Sequence, residues 1–274
     1  MSTDIDLPRV IKDIASDIAG LLRDHYGLDQ YSVVIGENVM GDLTRKIDII
    51  AEDYAIDAIH KTGLKTWVVS EERGLYKLCE KPDYIVLLDP LDGSANYVSQ
   101  IPFAAVSMAI YRVNGDPRAT YTKPIYGVVE NIFTRDIYEV FNATVFVNGV
   151  RINTYLDRDN HVFSIYSEDI DEINVIDRYF KELGMRVKTR IMGAASLEAI
   201  YAALGFINGF IHLTGKLRNI DIAVAVAIAV SMKTPLCYSR PSLDLIKVDE
   251  LGLIEKIVIL DPFYKSLLPR LFIQ

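Results

Sequence analysis

Two aspartates, Asp89 and Asp92, follow the apolar run YIVLL in the segment DPLDGSANY, and Ser94 lies two positions further on. Carboxylates this close together repel each other and are costly to bury unless a cation lies between them. Hard divalent cations such as Mg²⁺ prefer oxygen ligands, usually a few carboxylates together with water and phosphate. The segment therefore indicates a divalent-cation site with a hydroxyl group close enough to take part in chemistry.

Two further acidic clusters stand at comparable places in the chain. Glu71 and Glu72 follow the apolar run TWVVS, and Asp221 opens the apolar stretch IAVAVAIAVSM. Each cluster has a simpler explanation, because Asp-Pro and Asp-Gly are common turn dipeptides and Asp221 could be a helix N-cap. We interpret Glu72 as a solvated neighbour. Ligand sites in α/β proteins assemble at strand ends, so the coincidence of three clusters favours one shared metal site.

These clusters require an alternation of helices and strands to bring them together. The spacing of apolar residues predicts amphipathic helices over Leu7 to Gly27 and Gly41 to Gly63, followed by the strands that precede the acidic clusters and by a strand meander. After about residue 150, strands and helices alternate. We therefore expect two lobes that meet at a cleft, residues 1–150 with most metal ligands and residues 151–274 with Asp221 and the substrate contacts.

The composition limits the classes of partner. The net charge of −8 argues against general binding to nucleic acid or to anionic membranes, and the longest apolar run is too short to span a bilayer. The two cysteines form no disulfide framework, and the N-terminus does not resemble a signal peptide. We expect a cytoplasmic protein with a small phosphorylated substrate.

The segment DPLDGSANY resembles the Asp-Pro-Ile-Asp-Gly-Thr-x-Asn-Phe signature of the inositol monophosphatase family, which includes archaeal enzymes acting on fructose 1,6-bisphosphate. Four more segments resemble family motifs in the same order: GDLTRKIDIIAE, VSEERG, RIMGAASLEAIYAALGFINGFI and NIDIAVA. The matches run from about residue 5 to residue 232. The resemblance implies an α/β (α+β) layered sandwich of alternating helix and sheet layers, of the sugar-phosphatase type, and a homodimer.

The resemblance also implies a set of site residues. The metal ligands would be Glu71, Asp89, the carbonyl of Leu91, Asp92 and Asp221. The catalytic residues would be Asp48, Ser94 and Glu71, with Asp48 and Ser94 orienting and deprotonating a water molecule. The substrate contacts would be Asp92, Gly93, Ser94, Gly193, Ala194, Ala195, Lys216, Arg218 and Asp221.

The chemistry explains why such residues are needed. A phosphate monoester dianion repels nucleophiles, so the site must neutralise it, activate water near neutral pH and stabilise the leaving alkoxide. Two or three Mg²⁺ ions, with Mn²⁺ as a substitute, would do all three. The expected reaction is hydrolysis of a small sugar or inositol phosphate, with inositol 1-phosphate and fructose 1,6-bisphosphate as the leading candidates.

Several residues depart from the family pattern. Ser94 stands in place of the usual Thr, Ile220 in place of Trp, and no hydroxyl residue follows Gly193 directly. Most departures lie in the half that would contact the organic part of the substrate. Lys216 and Arg218 could meet a second phosphate or could be solvated loop cations. Two alternatives stay open: a 3′-phosphoadenosine 5′-phosphate phosphatase, and an interaction protein of this fold with incidental catalysis.

Overall fold

The computed structural model describes residues 6–113, 120–156, 160–239 and 243–272. Its α-helices are α1 (Leu7–His25), α2 (Lys46–Lys61), α3 (Ser94–Val98), α4 (Ile170–Glu182), α5 (Ala195–Leu204), α6 (Asn219–Met232) and α7 (Leu268–Phe272). Short 3-10 helices cover Asp29–Tyr31, Leu243–Leu245 and Pro262–Leu267. Within these described residues, no helix is long and apolar enough to cross a bilayer.

The strands form two sheets and two small ribbons. One ribbon pairs β1 (Val34–Glu37) with β2 (Leu43–Arg45). The large sheet contains β3 (Thr66–Ser70), β4 (Gly74–Lys77), β5 (Tyr84–Asp92), β6 (Ala105–Arg112), β7 (Tyr126–Asn131), β8 (Ile137–Phe141), β9 (Thr144–Val147) and β10 (Val150–Ile152). The small sheet contains β11 (Val162–Tyr166), β12 (Lys188–Arg190), β13 (Gly209–His212), β15 (Leu236–Tyr238) and β17 (Ile257–Leu260), and the second ribbon pairs β14 (Leu217–Arg218) with β16 (Leu253–Ile254).

The strand order is β10-β9-β8-β7-β6-β5-β3-β4 in the large sheet and β12-β11-β13-β17-β15 in the small one. β3 and β5 run parallel, as does β11 with both β12 and β13. The parallel pairing of β3 with β5 brings the carboxyl ends of these two strands to the same edge. The acidic residues that follow the two strands in the sequence therefore meet in space.

The helices and sheets stack in five alternating layers. Helices α1 and α2 pack on one face of the large sheet, α5 and α6 fill the space between the sheets, and α4 and α7 cover the outer face of the small sheet. The side chains of β13 and β17 alternate between two hydrophobic cores, one on each face of the small sheet. Phe210 and Ile259 face α5 and α6, whereas Ile211 and Val258 face α4 and α7. The expected layered α/β sandwich is confirmed.

The middle helix layer explains the long apolar run of the sequence. Nearly all of α6 is buried, from Asn219 to Ala229, because the helix lies between the large sheet and α5. A helix that is apolar all round belongs in such an interior position. The division of the chain near residue 150 stays a prediction: the strands change sheet there, whereas α5 packs against both sheets.

Three expected elements differ in their bounds. The helix expected from Gly41 begins only at Lys46, because Leu43–Arg45 pairs with β1 as a strand. Within the expected strand meander, the segment TVFVNGVRIN forms two strands joined at Asn148 and Gly149, both with positive φ. The strand expected to end at Leu88 continues as β5 to Asp92.

Candidate active site

A β-bulge in β5 brings the two aspartates of the opening motif to one face. Asp89 pairs with Ser107 and Asp92 with Ala105, so β5 has one residue more than β6 between these pairs. Side chains three positions apart on a regular strand point to opposite faces, and the extra residue corrects this. Pro90 lies inside the bulge, where a missing N–H costs no ladder hydrogen bond. Both aspartates are almost completely buried.

Two more carboxylates lie at the starts of α2 and α6, in matching local structures. The segments LTRKID and KLRNID each run from a short strand through an arginine into a helix, with Asp48 and Asp221 at the third helical position. Asp48 accepts a hydrogen bond from the backbone N–H of Arg45 at 2.7 Å, and Asp221 accepts one from that of Arg218 at 2.8 Å. Each aspartate therefore caps its helix by accepting from the N–H of the N-cap residue, and a helix N-terminus favours its negative charge.

The end of β3 adds the two glutamates. Glu71 accepts a hydrogen bond from the Asn38 amide, at 3.3 Å, and forms an ion pair with the Arg218 guanidinium. Glu72 is half-buried and accepts a hydrogen bond from the Thr44 hydroxyl, so it is more constrained than the solvated neighbour expected. The β1–β2 ribbon thus contacts both glutamates through Asn38 and Thr44, a contact that no motif indicated.

Arg218 lies inside this acidic cluster. Its Nε atom is 3.0 Å from an Asp221 oxygen, its Nη1 atom pairs with Glu71, and Asp42 is 3.8 Å away. The side chain is only 14% exposed. Burial disfavours its charge, but the carboxylates of Asp221, Glu71 and Asp89 outweigh this effect and raise its pKa further above the usual range. Arg218 is therefore not the solvated loop cation that was one of the expected alternatives.

The buried carboxylates are poorly neutralised despite this arginine. Burial is the largest cause that raises the pKa of Asp48 and of Asp92 to about 7, and of Asp221 to about 6. Burial and the neighbouring carboxylates raise the pKa of Asp89 well above its usual value. In the described residues, the Oδ1 atom of Asp48 is buried without a hydrogen-bond partner. Such a group of oxygen ligands suits a hard divalent cation.

The chemistry of these residues fits a metal, but their side chains are not preset for one. Within the ranges described above, no three Asp, Glu, His or Cys side chains stand together in a geometry ready to hold a metal ion. The hydrogen bonds explain this: Glu71 and Asp221 are turned towards Arg218, and Asp92 is turned towards α5. Metal binding would require these carboxylates to change partners.

Asp92 links the large sheet to the start of α5. One of its oxygens accepts a hydrogen bond from the Ala195 N–H at 3.0 Å, and the other accepts from the Ser196 N–H at 2.9 Å and from the Ser196 hydroxyl. The expected substrate contact Ala195 therefore has its N–H committed to Asp92. Asp92 acts as a helix cap in addition to any role as a ligand.

Glu198 holds the loop that precedes α5, and our sequence reasoning missed it. The side chain is fully buried, and its two oxygens accept hydrogen bonds from five donors. The donors are the hydroxyls of Ser164 and Tyr166 and the backbone N–H groups of Met192, Gly193 and Ala194. A signal was present, since Glu198 is the only charged residue of ASLEAIYAALG.

The loop held by Glu198 packs directly on the turn after β5. Gly93 and Gly193 both have φ near +84°, and a Cβ atom added at Gly93 would lie 2.9 Å from the carbonyl oxygen of Gly193. Asn96 connects the same two segments, donating to the carbonyls of Met192 at 2.6 Å and Phe103 at 2.8 Å. The structure thus brings the expected contacts Gly93 and Gly193 together.

The remaining expected residues divide into two groups. Leu91 is buried within the β5 bulge, and Ser94 begins α3 beside Gly93. Lys216 is 69% exposed and pairs with Glu168, which is also exposed, on the surface. The expected contact at Lys216 therefore has the weakest structural basis.

Comparisons with known proteins agree with this fold. The model of the inositol monophosphatase family matches residues 7–232. The chain is 34% identical over 231 residues to an inositol-1-monophosphatase from Aeropyrum pernix, covering 80% of this chain and 79% of that protein. It is 31% identical over 219 residues to a fructose-1,6-bisphosphatase from Pyrococcus furiosus, covering 79% and 78%.

A solved structure shows the same architecture. A Pyrococcus horikoshii protein, described as hypothetical with similarities to inositol-1-monophosphatase, superposes with a TM-score of 0.75 at 26% identity, covering 96% of each chain. The fold and the family match define a phosphatase of the sugar-phosphatase type. The chain belongs to the inositol monophosphatase family and is a hydrolase that acts on small phosphorylated substrates.

Proposed function

We propose that this protein hydrolyses fructose 1,6-bisphosphate, inositol 1-phosphate or both, in a reaction that depends on Mg²⁺ and uses water as the nucleophile. The observation behind this proposal is that carboxylates from α2, the end of β3, β5 and α6 gather in one region, where burial and neighbouring carboxylates raise the pKa values of Asp48, Asp89 and Asp221. The names of the Aeropyrum and Pyrococcus furiosus relatives support the two substrates.

The proposed metal ligands follow the family pattern. Glu71, Asp89 and the carbonyl of Leu91 would hold one Mg²⁺ ion, and Asp89, Asp92 and Asp221 would hold a second, with a third ion or Mn²⁺ as variants. Bound Mg²⁺ would lower the pKa of a water molecule and neutralise the phosphate. Asp89 is central to both sets, in agreement with its position among Glu71, Asp92 and Asp221.

The chain's own residues would orient the reactants. Asp48 has one oxygen fixed by the Arg45 N–H and the other without a partner in the part of the chain described, so it can accept a proton from water. The Ser94 hydroxyl, beside Gly93, would hold the same water. The Gly93 turn leaves no room for a Cβ atom, which keeps its backbone close to the Gly193 loop and to a bound phosphate.

Phosphate release with and without a chelator tests the proposal. Wild type and Asp89→Asn would be assayed with fructose 1,6-bisphosphate, inositol 1-phosphate and 3′-phosphoadenosine 5′-phosphate. Asp83→Asn is the matched control, because Asp83 is exposed beside the first residue of the same strand. We expect release that needs Mg²⁺, is lost in Asp89→Asn and is retained in Asp83→Asn. No release from either sugar phosphate would contradict the proposal, and release from the nucleotide alone would favour that alternative. An interaction protein with incidental catalysis would instead keep its partner in a pull-down with Asp89→Asn.

A homodimer and a cytoplasmic location stay predictions. One apolar face that a second copy would cover is the groove of about 980 Å³ between α4 and the edge strand β12, in which Ile173 and Ile191 are 42% and 67% exposed. Light scattering of wild type and Ile191→Glu would test this face, since a charge there should shift a dimer towards monomer.

A further inference from the structure

The guanidinium of Arg218 occupies the same carboxylate oxygens that a metal would use. Its Nη1 atom pairs with Glu71 Oε1 and its Nε atom lies 3.0 Å from Asp221 Oδ1. Glu71 and Asp221 are ligands in the two different metal sites of the proposed function, on which this inference rests. One arginine therefore connects residues of both sites.

An oxygen that accepts a strong charge-assisted hydrogen bond from a guanidinium is a poor ligand, because the two positive charges repel each other at that distance. We propose that Arg218 is an internal counter-cation that competes with the metal for Glu71 and Asp221 and so sets the metal affinity of the site. Metal binding displaces the guanidinium from both carboxylates, so the contact of Nε with Asp221 changes as well as that of Nη1 with Glu71.

The surroundings of Arg218 distinguish this role from that of an ordinary surface ion pair. The Arg218 side chain is only 14% exposed, whereas that of Lys216, two residues earlier, is 69% exposed. Asp42 on the β1–β2 ribbon lies 3.8 Å from the same Nη1 atom and provides an alternative partner for a displaced guanidinium. An arginine keeps its charge at every pH of interest, so the competition does not depend on its titration.

Metal binding to the full-length protein tests the proposal without substrate. Mn²⁺ would be titrated into wild type, Arg218→Met, Arg218→Lys and Lys216→Met, and free Mn²⁺ would be measured by electron paramagnetic resonance. Because a nearby positive charge is removed, we expect Arg218→Met to bind Mn²⁺ at least about tenfold more tightly than wild type. Arg218→Lys retains the charge and should stay within about threefold of wild type. Lys216→Met is the matched control and should stay within about twofold, since that charge is solvated.

A second measurement is made on the wild-type protein, and Arg218→Lys serves only to assign the resonance. The Nε–H resonance of Arg218, assigned with Arg218→Lys, should shift when Mg²⁺ is added after removal of chelator, because its hydrogen bond to Asp221 changes. Equal or weaker Mn²⁺ binding by folded Arg218→Met, or an Nε–H resonance that Mg²⁺ leaves in place, would overturn the competition. A wild type that binds no Mn²⁺ at all would instead overturn the proposed function, and this inference with it.

Discussion

Asp48→Asn should make the protein more stable and inactive at the same time, because the charge of Asp48 is costly to bury. Asp48 is only 6% exposed, and burial raises its pKa from 3.8 to about 7. The folded pKa lies above the unfolded one, so the associated stability is present below about pH 4 and is lost as the pH rises through about 7. The charge of Asp48 therefore lowers the free energy of unfolding by about 4 kcal/mol at pH 8 and by less than half of that at pH 5.

Urea unfolding in the presence of a chelator would measure this difference. Asparagine keeps an acceptor for the Arg45 N–H and removes the charge, so Asp48→Asn should raise the free energy of unfolding at about pH 8 by up to about 4 kcal/mol. The gain should shrink at about pH 5. Phosphate release with Mg²⁺ should fall at least about a hundredfold, because a general base contributes that much or more.

Asp57→Asn is the matched control on the same helix, where the side chain is exposed. It should leave both stability and activity close to those of wild type. A stability gain for Asp48→Asn that is the same at both pH values would show that the charge is not its origin. A loss of stability at about pH 8 would refute the reasoning altogether.

Two further substitutions test the packing around the site. Gly93→Ala places a Cβ atom 2.9 Å from a backbone oxygen at φ +84°, so we expect a loss of about 1–3 kcal/mol in urea unfolding and reduced phosphate release. Gly149→Ala, also at positive φ but with open space around it, should lose clearly less and keep its activity. Burial lowers the pKa of His212 to about 4, so its contribution to stability is present above pH 6.5 and is lost as the pH falls towards 4. His212→Phe keeps an aromatic ring against Tyr166. When the pH falls from 7 to 5, this variant should lose about 2 kcal/mol less stability than wild type. An unchanged acid dependence would count against a buried neutral imidazole.

The layered fold and most of the carboxylates were predictable from the sequence, because helix spacing, strand runs and the DPLDGSANY motif are local signals. The bulge at Pro90 was not, since it appears only when β5 is aligned with β6. The position of Arg218 was left open for the same reason. Arg218 joins the acidic cluster only through the fold that brings it beside Glu71, which follows β3. Glu198 had a local signal, a single charge in an apolar helix, but two of its five donors, the hydroxyls of Ser164 and Tyr166, come from the distant strand β11.

The shared middle layer has a consequence for the order in which the protein can be made. Helices α5 and α6 cover the inner face of the large sheet, yet they are synthesised after all of its strands. During translation that face would stay exposed, and Asp89 and Asp92 would lack both the α5 cap and the ion pair of Arg218 with Asp221. The nascent large sheet is therefore expected to depend on chaperones, or to stay unfolded, until α6 has left the ribosome. The acidic centre would then be completed in one late step.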